Sequence, residues 1–312
     1  MATEFTLRQL RYFIAVAEAR SLSAAAERLF ISQPALSSAI TELEAAVGVQ
    51  LCVRQKSRGV QLTPNGASFY EGARQLVRQA DELAWSTRSE GGPLRGPLTI
   101  GIYVALAPEL LPHYLIEFPK RHPGVTLNYV EGSTDELSAA LAKGEIDVAV
   151  MYNLDLDPTL ARTTLFQRSP HLLLSQDHRL AERDGIRLAD LRDEPFIQIE
   201  TSPASTHAAA LFADAQVVPD LRYRVKTAEL AQQLVSTNLG FAILLSFPRR
   251  GSVYRDLGLV QRRILPTPTP VGVVAAWPAR VEPNARTTAF VDFLRESALP
   301  DADDKLSALA PR

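Results

Sequence analysis

Apolar residues recur every three or four positions over the first 90 residues, which is the period of α-helices that bury one face. The pattern predicts four helices, which begin at Thr6, at Ser23 (ending near Phe30), at Ser32 (ending at Gly48) and near residue 65 (ending near 88). Thr6, Ser23 and Ser32 are predicted N-caps, because a hydroxyl at that position accepts a hydrogen bond from a first-turn amide. Two short extended runs around a basic turn, VQLCVRQKSRGVQLTP, separate the third helix from the fourth.

After the glycine- and proline-rich stretch SEGGPLRGPL (89–98), β-rich runs alternate with helical ones. The predicted strands are LTIGIYV, TLNYVEG, IDVAVMY, PFIQIE, LRYRVKT, FAILLS and VGVVAAW, with helices over 108–121, 134–143, 205–214, 228–238 and about 283–297. This alternation predicts an α/β domain with largely parallel sheets, arranged as two similar lobes. Residues 299–312 are expected to form a flexible tail.

The outward face of the third helix has an unusual composition. Leu36, Ala39, Ile40, Leu43 and Val47 form its inward stripe, whereas the opposite face begins with small, uncharged groups. Such a face can approach another molecule closely, and Gln and Ser suit base edges and phosphates. Two short helices joined by a brief turn predict a helix-turn-helix, whose second helix enters the major groove of DNA. No acidic residue lies between Glu44 and Glu71, so the basic turn gives a local positive charge that the net charge of −2 hides.

The first 65 residues resemble the N-terminal domain of LysR-type transcriptional regulators. The motifs are S-x-x-x-A-A-x-x-L, S-Q-P-A-L-S-x-x-I-x-x-L-E and G-V-x-L-x-x-R, which leads to L-T-x-x-G. The segments from LTIGIYV to IDVAV and ELAQQLVSTNLGFAILL are similar to the two lobes of that family's effector domain. Three positions depart from the family pattern: Ser38 replaces a long basic residue, Cys52 an aromatic residue, and Tyr103 a Ser or Thr.

The resemblance implies an N-terminal all-α winged helix-turn-helix, a long linker helix and a C-terminal two-lobed α/β domain of the type 2 periplasmic-binding-protein kind. The expected segments are a DNA-binding domain (1–64), a dimerisation helix (65–90), a hinge (91–98), an effector-binding domain (99–298) and a tail (299–312). Lobe one is expected over 99–168 and 269–298, and lobe two over 169–268. The expected DNA contacts are Ser23, Ser32, Gln33, Pro34, Ser37, Ser38, Thr41, Arg54, Lys56 and Arg58. Leu76 and Leu83 are expected in a dimer seam, within a homodimer or homotetramer.

Ligands of open α/β lobes bind where strands end and helices begin. Four such junctions align with the family's effector cleft. They provide the candidate effector residues Tyr103, Val104, Ala105, Ser133, Thr134, Thr201, Ser202, Ser205 and Thr227. A hydroxyl among them can equally be a helix N-cap, and Tyr103 can either shrink the pocket or stack on an aromatic effector. His207 is interpreted as a solvated helix residue rather than a ligand, and Tyr152 and Asn153 as possible residues of the cleft floor.

Other protein classes fit the sequence less well. No pair of histidines has metal-ligand spacing, and nucleophile-elbow, P-loop and dinucleotide-binding motifs are absent, so we expect no catalysis, no cofactor and no metal. The single cysteine, with neither secretion signal nor membrane span, predicts a cytoplasmic protein. The expected partners are double-stranded promoter DNA and a small effector, an organic acid or an aromatic compound. The alternatives are a DNA-binding protein whose effector domain serves oligomerisation only and, more remotely, a solute-binding protein.

Overall fold

A computed structural model describes residues 4–55, 59–88, 93–245 and 257–297, with the backbone alone for 54, 55, 82 and 84–88. The chain divides into two compact units, residues 1–92 and 93–312. None of the helices in the described part of the chain combines the length and the apolar composition that a membrane crossing requires.

The described residues of the N-terminal unit form four helices and two paired strands. The helices are α1 (Leu7–Ala19), α2 (Leu22–Arg28), α3 (Gln33–Val47) and α4 (Pro64–Arg88), and the strands are β1 (Cys52–Gln55) and β2 (Gly59–Leu62). The two strands pair antiparallel and form the wing. The expected all-α domain is therefore mostly rather than wholly helical.

Side-chain caps determine where the short helices begin. Thr6 forms a capping box with Gln9 at the start of α1, and the Ser32 hydroxyl accepts from the Ala35 amide at the start of α3. The prediction of Ser23 as the cap of α2 is wrong, because Ser21 accepts from the Ala24 amide instead. The hydroxyls at 21 and 23 have the same capping chemistry, and the packing of Ala25 and Ala26 against the core sets which of the two precedes the helix.

The core of the N-terminal unit joins the helices to the wing. Leu36, Ile40 and Leu43 of α3 are buried against Phe13 of α1, and Cys52 is a buried residue of the same core. At the wing, Gly59 has a φ of +72°, and a Cβ there would lie 2.3 Å from the carbonyl oxygen of Arg20. The neighbouring Val60 amide donates to that same oxygen at 2.9 Å, which anchors the wing to the end of α1.

The first lobe of the C-terminal unit is built on a five-stranded sheet. Its strands are β3 (Gly96–Tyr103), β4 (Val125–Gly132), β5 (Val148–Tyr152), β6 (Leu160–Arg168) and β13 (Val271–Pro278), in the order β4-β3-β5-β13-β6. The first three pair in parallel, whereas β13 runs antiparallel to both β5 and β6. Helices α5 (Ala107–Arg121), α6 (Thr134–Lys143) and α9 (Ala285–Glu296) pack against this sheet.

In the second lobe, the residues that the structure describes form a four-stranded and a two-stranded sheet. Its strands are β7 (His171–Ser175), β8 (Gly185–Arg187), β9 (Pro195–Ile199), β10 (Asp220–Val225), β11 (Ala242–Leu244) and β12 (Leu259–Leu265). The order is β11-β7-β12-β8, while β10 pairs with β9 and a single bridge between Phe196 and Phe241 joins the two sheets. Helices α7 (Ala204–Asp214) and α8 (Ala228–Ser236) pack here, with a short 3₁₀ helix at Leu188–Leu191.

The expectation of largely parallel sheets is only half right. β6, β7, β8 and β12 were not predicted, and three of the pairings they make are antiparallel. The expected hinge over 91–98 also needs correction, because β3 begins at Gly96. The expected tail at 299–312 lies outside the described residues.

Candidate functional site

The outward face of α3 remains exposed in the N-terminal unit. Ser32, Gln33, Pro34, Ser38 and Thr41 are exposed and Ser37 is partly exposed. The Ser23 hydroxyl, on α2, donates to Oε1 of Gln33 at 3.2 Å, which leaves the amide NH₂ of Gln33 as the group available to a partner. The start of α3 therefore presents an oriented donor at the tip of an uncharged face.

Two of the candidate hydroxyls on α3 are engaged locally. Ser38 donates to Oε1 of Glu42 at 3.2 Å, and Thr41 donates to the backbone carbonyl of Ser37 at 3.0 Å. Each hydroxyl oxygen keeps lone pairs that can accept, but its proton is in use. Ser38 and Thr41 therefore suit close packing more than donation to a base or phosphate.

The wing brings basic residues after α3. Arg54 lies on β1, where only its backbone is described, and Lys56 and Arg58 lie outside the described residues. One carboxylate ties this strand to α3, since Oε1 of Glu44 accepts from the amides of Leu51 at 2.8 Å and Cys52 at 2.9 Å. The start of the wing is thus held to the last turn of α3.

The outer face of α4 exposes apolar side chains. Leu76 is 46% exposed and Leu83 is 67% exposed, and they are seven residues apart on one face. Phe69 and Val77 pack instead against the core of the N-terminal unit, together with the buried Ala73. Leu76 also borders a shallow groove with Val47, Phe69 and Ala73. Both predicted seam residues thus expose much of their side chains.

A cavity lies between the two lobes of the C-terminal unit. Five of the nine candidate effector residues line it: Tyr103, Val104, Ala105, Thr201 and Thr227. The lining also includes Tyr152, Ile199, Pro203, Ala204, His207, Lys226, Ala228, Glu229, Ile243, Leu244 and Leu245. The walls enclose about 650 Å³ of space free of protein atoms, part of it solvent at the mouth, and about 60 Å³ can hold the centre of a water-sized group.

Strand and helix ends bring the polar groups of the cavity together. Tyr103 ends β3, Thr201 follows β9, and Thr227 caps α8 by accepting from the Leu230 amide. The Thr201 hydroxyl donates to the carbonyl of Lys226 at 2.6 Å, so it can only accept from a ligand. Most of the remaining lining is apolar, as is common for small-molecule sites.

Two tyrosine rings form one wall of the cavity. The Tyr103 and Tyr152 rings lie edge to face, with centroids 5.4 Å apart and planes at 66°. Tyr103 is 2% exposed, and burial raises the pKa of its phenol to about 12, which keeps the hydroxyl protonated at neutral pH. The ring lines the cavity and does not fill it.

The other four candidate effector residues do not line the cavity. Ser133 caps α6 through a capping box with Glu136, and the Ser205 hydroxyl lies 3.5 Å from the carbonyl of Glu200. The Thr134 amide donates to the carbonyl of Ser202 at 3.3 Å, and the Ser202 hydroxyl donates to Oδ1 of Asp135 at 3.4 Å. These two bonds join the lobes directly. The expectation that ligands bind where strands end and helices begin located the cleft, but it could not distinguish residues that line the cavity from residues that join the lobes.

The interpretation of His207 as a solvated residue is corrected. Its side chain lines the cavity from α7, and burial lowers the pKa of its imidazole, partly offset by the negative charge of Asp155. The sequence places His207 only one turn into a helix and contains no sign that the opposite lobe covers it. Tyr152 lines the cavity as expected for the cleft floor, whereas Asn153 is not among the lining residues.

Comparison with known proteins agrees with both units. The family model for the LysR substrate binding domain matches residues 91–299, and that for the bacterial regulatory helix-turn-helix protein of the lysR family matches residues 7–67. The HTH-type transcriptional regulator BenM of Acinetobacter baylyi is 32% identical over 243 residues, which span 76% of this chain and 79% of BenM.

Solved structures give a similar result along the full length. HinK, a LysR family transcriptional regulator from Pseudomonas aeruginosa, is 32% identical with a TM-score of 0.61, over 95% of this chain and 99% of HinK. Full-length CbnR in complex with its target DNA is 26% identical with a TM-score of 0.63, over 95% of this chain and 100% of CbnR.

Proposed function

The chain belongs to the LysR family of DNA-binding transcriptional regulators, with an effector-binding domain, and we propose that α3 docks into the major groove of promoter DNA. The observation that supports this most strongly is the exposed, uncharged outer face of α3, with the Gln33 NH₂ directed by Ser23. A face of this kind can lie against base edges, which long charged side chains would keep at a distance.

The proposed contacts divide into two kinds. Gln33 and Ser37 read base edges, with Ser32 and Pro34 packed at the groove wall, because they lie at the N-terminal end of α3 that enters the groove. Arg54, Lys56 and Arg58 bind phosphates and provide the part of the affinity that depends on salt. Glu44 keeps the two groups of residues in register through its bonds to the first wing amides.

In the C-terminal unit, we propose that a small molecule binds in the cavity between the lobes and alters DNA binding. Residues from both lobes line this space, and one hydrogen bond from the Thr134 amide to the Ser202 carbonyl joins the lobes. A ligand held by both lobes would favour one lobe arrangement over another, which is the requirement for a population shift.

We propose further that the protein acts as a dimer or a dimer of dimers. The exposed Leu76 and Leu83 are spaced to meet a second copy of α4, and the shallow groove beside Leu76 extends that apolar face. A dimer also fits promoter recognition, since two copies can read two half-sites.

The experiment that tests the proposed function is a gel-retardation assay. Full-length protein is titrated against duplexes from the regions around its own gene and against random duplex of equal length, at low ionic strength. We expect retardation of at least one promoter region at a concentration that leaves random duplex unbound. Equal binding of all duplexes, or no binding, would overturn the proposal.

A further inference from the structure

Hydrogen-bond donors line the cavity between the lobes, where most of the remaining lining is apolar. Tyr103 is one of them: its side chain is 2% exposed, and its ring lines the cavity. Burial is the only cause of its raised pKa, and no hydrogen bond with a described residue contributes to the shift. A buried phenol hydroxyl usually has a partner. Tyr103 therefore offers a neutral O–H donor to whatever occupies the cavity.

The start of α8 contributes further donors to the same space. Thr227, Ala228 and Glu229 line the cavity, and the amides of Ala228 and Glu229 have no hydrogen-bond acceptor within the ranges that the structure describes. First-turn amides cannot bond within their own helix, and the helix dipole adds partial positive charge there. The Thr227 hydroxyl oxygen accepts from the Leu230 amide, which leaves its proton free to donate.

Charged side chains at the mouth do not favour either sign. Lys226 and Glu229 have opposite charges, and both are exposed to solvent. Their charges sum to zero, and water screens both. The Tyr103 hydroxyl and the donors at the start of α8 thus determine the preference, and a carboxylate fits them because it accepts from several donors at once.

The body of the ligand must match apolar and aromatic walls. Ile199, Ile243 and Leu244 line the same cavity as the two tyrosine rings. The 60 Å³ open to water-sized centres is roughly five times what a single water needs, which suits one ring and not two. Edge-to-face tyrosines accept a further planar ring more readily than a bulky aliphatic one.

We propose that this cavity binds a small aromatic monocarboxylate, whose carboxylate accepts from the Tyr103 hydroxyl and the first amides of α8 while its ring lies against Tyr103 and Tyr152. The inference rests on the proposed role of the cavity as the effector site and adds the chemical class of the effector. Tyr103 then acts as a specificity-determining residue, because it provides a phenol where the family pattern has the small hydroxyl of Ser or Thr.

The test measures ligand binding to the full-length protein by isothermal titration calorimetry and thermal shift. The probes are benzoate, cyclohexanecarboxylate, benzyl alcohol and acetate. Relative to benzoate, cyclohexanecarboxylate lacks the planar aromatic ring, benzyl alcohol lacks the negative charge, and acetate lacks a ring altogether. We expect benzoate to bind at least about tenfold more tightly than the other three. Equal binding of cyclohexanecarboxylate would overturn the aromatic assignment, equal binding of benzyl alcohol would overturn the carboxylate assignment, and no response to benzoate would overturn both.

Variants locate the binding site. Tyr103→Phe removes the donor and keeps the ring, so we expect the Kd for benzoate to rise about tenfold, the value of one hydrogen bond to a charged group. The matched control is Tyr129→Phe, since Tyr129 is a half-exposed tyrosine on β4 away from the cavity lining. An unchanged Kd for benzoate in Tyr103→Phe would contradict the placement of the carboxylate beside Tyr103. If that variant does not fold, the comparison of the four probes on the unaltered protein still tests the proposal.

Failure of the inference is distinguishable from failure of the proposed function. A protein that retards promoter DNA but ignores benzoate would retain the DNA-binding function and lose the ligand assignment. Tight benzoate binding that depends on Tyr103, without retardation of any promoter region, would retain the ligand assignment and overturn the DNA-binding function.

Discussion

Replacing Glu44 with Ala should loosen the connection between α3 and the wing. One carboxylate oxygen accepts from two backbone amides, those of Leu51 at 2.8 Å and Cys52 at 2.9 Å, and both residues are buried. A hydrogen bond to a charged group contributes about 1.5 kcal/mol or more, so the loss of both should cost about 3 kcal/mol of local stability. Glu44→Gln keeps one acceptor oxygen without the charge and should cost roughly 1 kcal/mol.

Native-state hydrogen exchange of the full-length protein measures this cost directly. A loss of about 3 kcal/mol corresponds to exchange roughly 100-fold faster at the amides of Leu51 and Cys52. The matched control is Glu42→Ala, two positions earlier on α3, where an exposed carboxylate accepts from Ser38 and Gln9 and makes no bond to the described residues of the wing. Exchange in Glu44→Ala that is no faster than in the Glu42→Ala control would refute the reasoning.

Three further predictions concern the wing, a buried imidazole and α4. Gly59→Ala should destabilise the N-terminal unit by about 2 kcal/mol or more, because the new Cβ would meet the Arg20 carbonyl oxygen. Gly48→Ala, where φ is +76° but the space is open, should cost only about 1 kcal/mol in the same urea titration. Burial lowers the pKa of His171 from 6.5 to about 4, so the unfolded chain binds a proton first as the pH falls. The free energy of unfolding should therefore decrease by about 3 kcal/mol as the pH falls from 6.5 to 4. Urea titrations followed by circular dichroism measure this decrease, and a His171→Leu variant should not show it. Leu83→Ser should shift the mass measured by light scattering toward the monomer, and an unchanged mass would remove Leu83 from the seam.

Local signals in the sequence predicted the helices well. The helix predicted over 134–143 has the same bounds in the structure, where Ser133 and Glu136 form a capping box and Gly144 ends the helix. The same logic chose the wrong serine for α2, where two hydroxyls two positions apart offer equal caps and only packing decides. Local chemistry thus indicates that a helix begins, and tertiary packing can move that start by a residue or two.

Strands without clear alternation escaped prediction. β7 is buried along its whole length, so its run HLLLS shows no period of two, and β6 buries its residues irregularly. The chain crosses from the first lobe to the second between these two strands. His207 and Lys226 belong to the second lobe and share the cavity lining with Tyr103 and Tyr152 of the first lobe, an arrangement that no local pattern encodes.

The proposed division of labour on the DNA can be tested by one pair of substitutions. Binding of Gln33→Ala and Arg54→Ala to a cognate promoter fragment and to random duplex is measured from about 50 to 200 mM salt. Gln33→Ala should weaken cognate binding by about 1–3 kcal/mol while leaving random binding and the salt slope unchanged. Arg54→Ala should weaken both kinds of binding and reduce the salt slope by about one. If the two variants gave the same losses and the same slopes, α3 would not read bases while the wing binds phosphates.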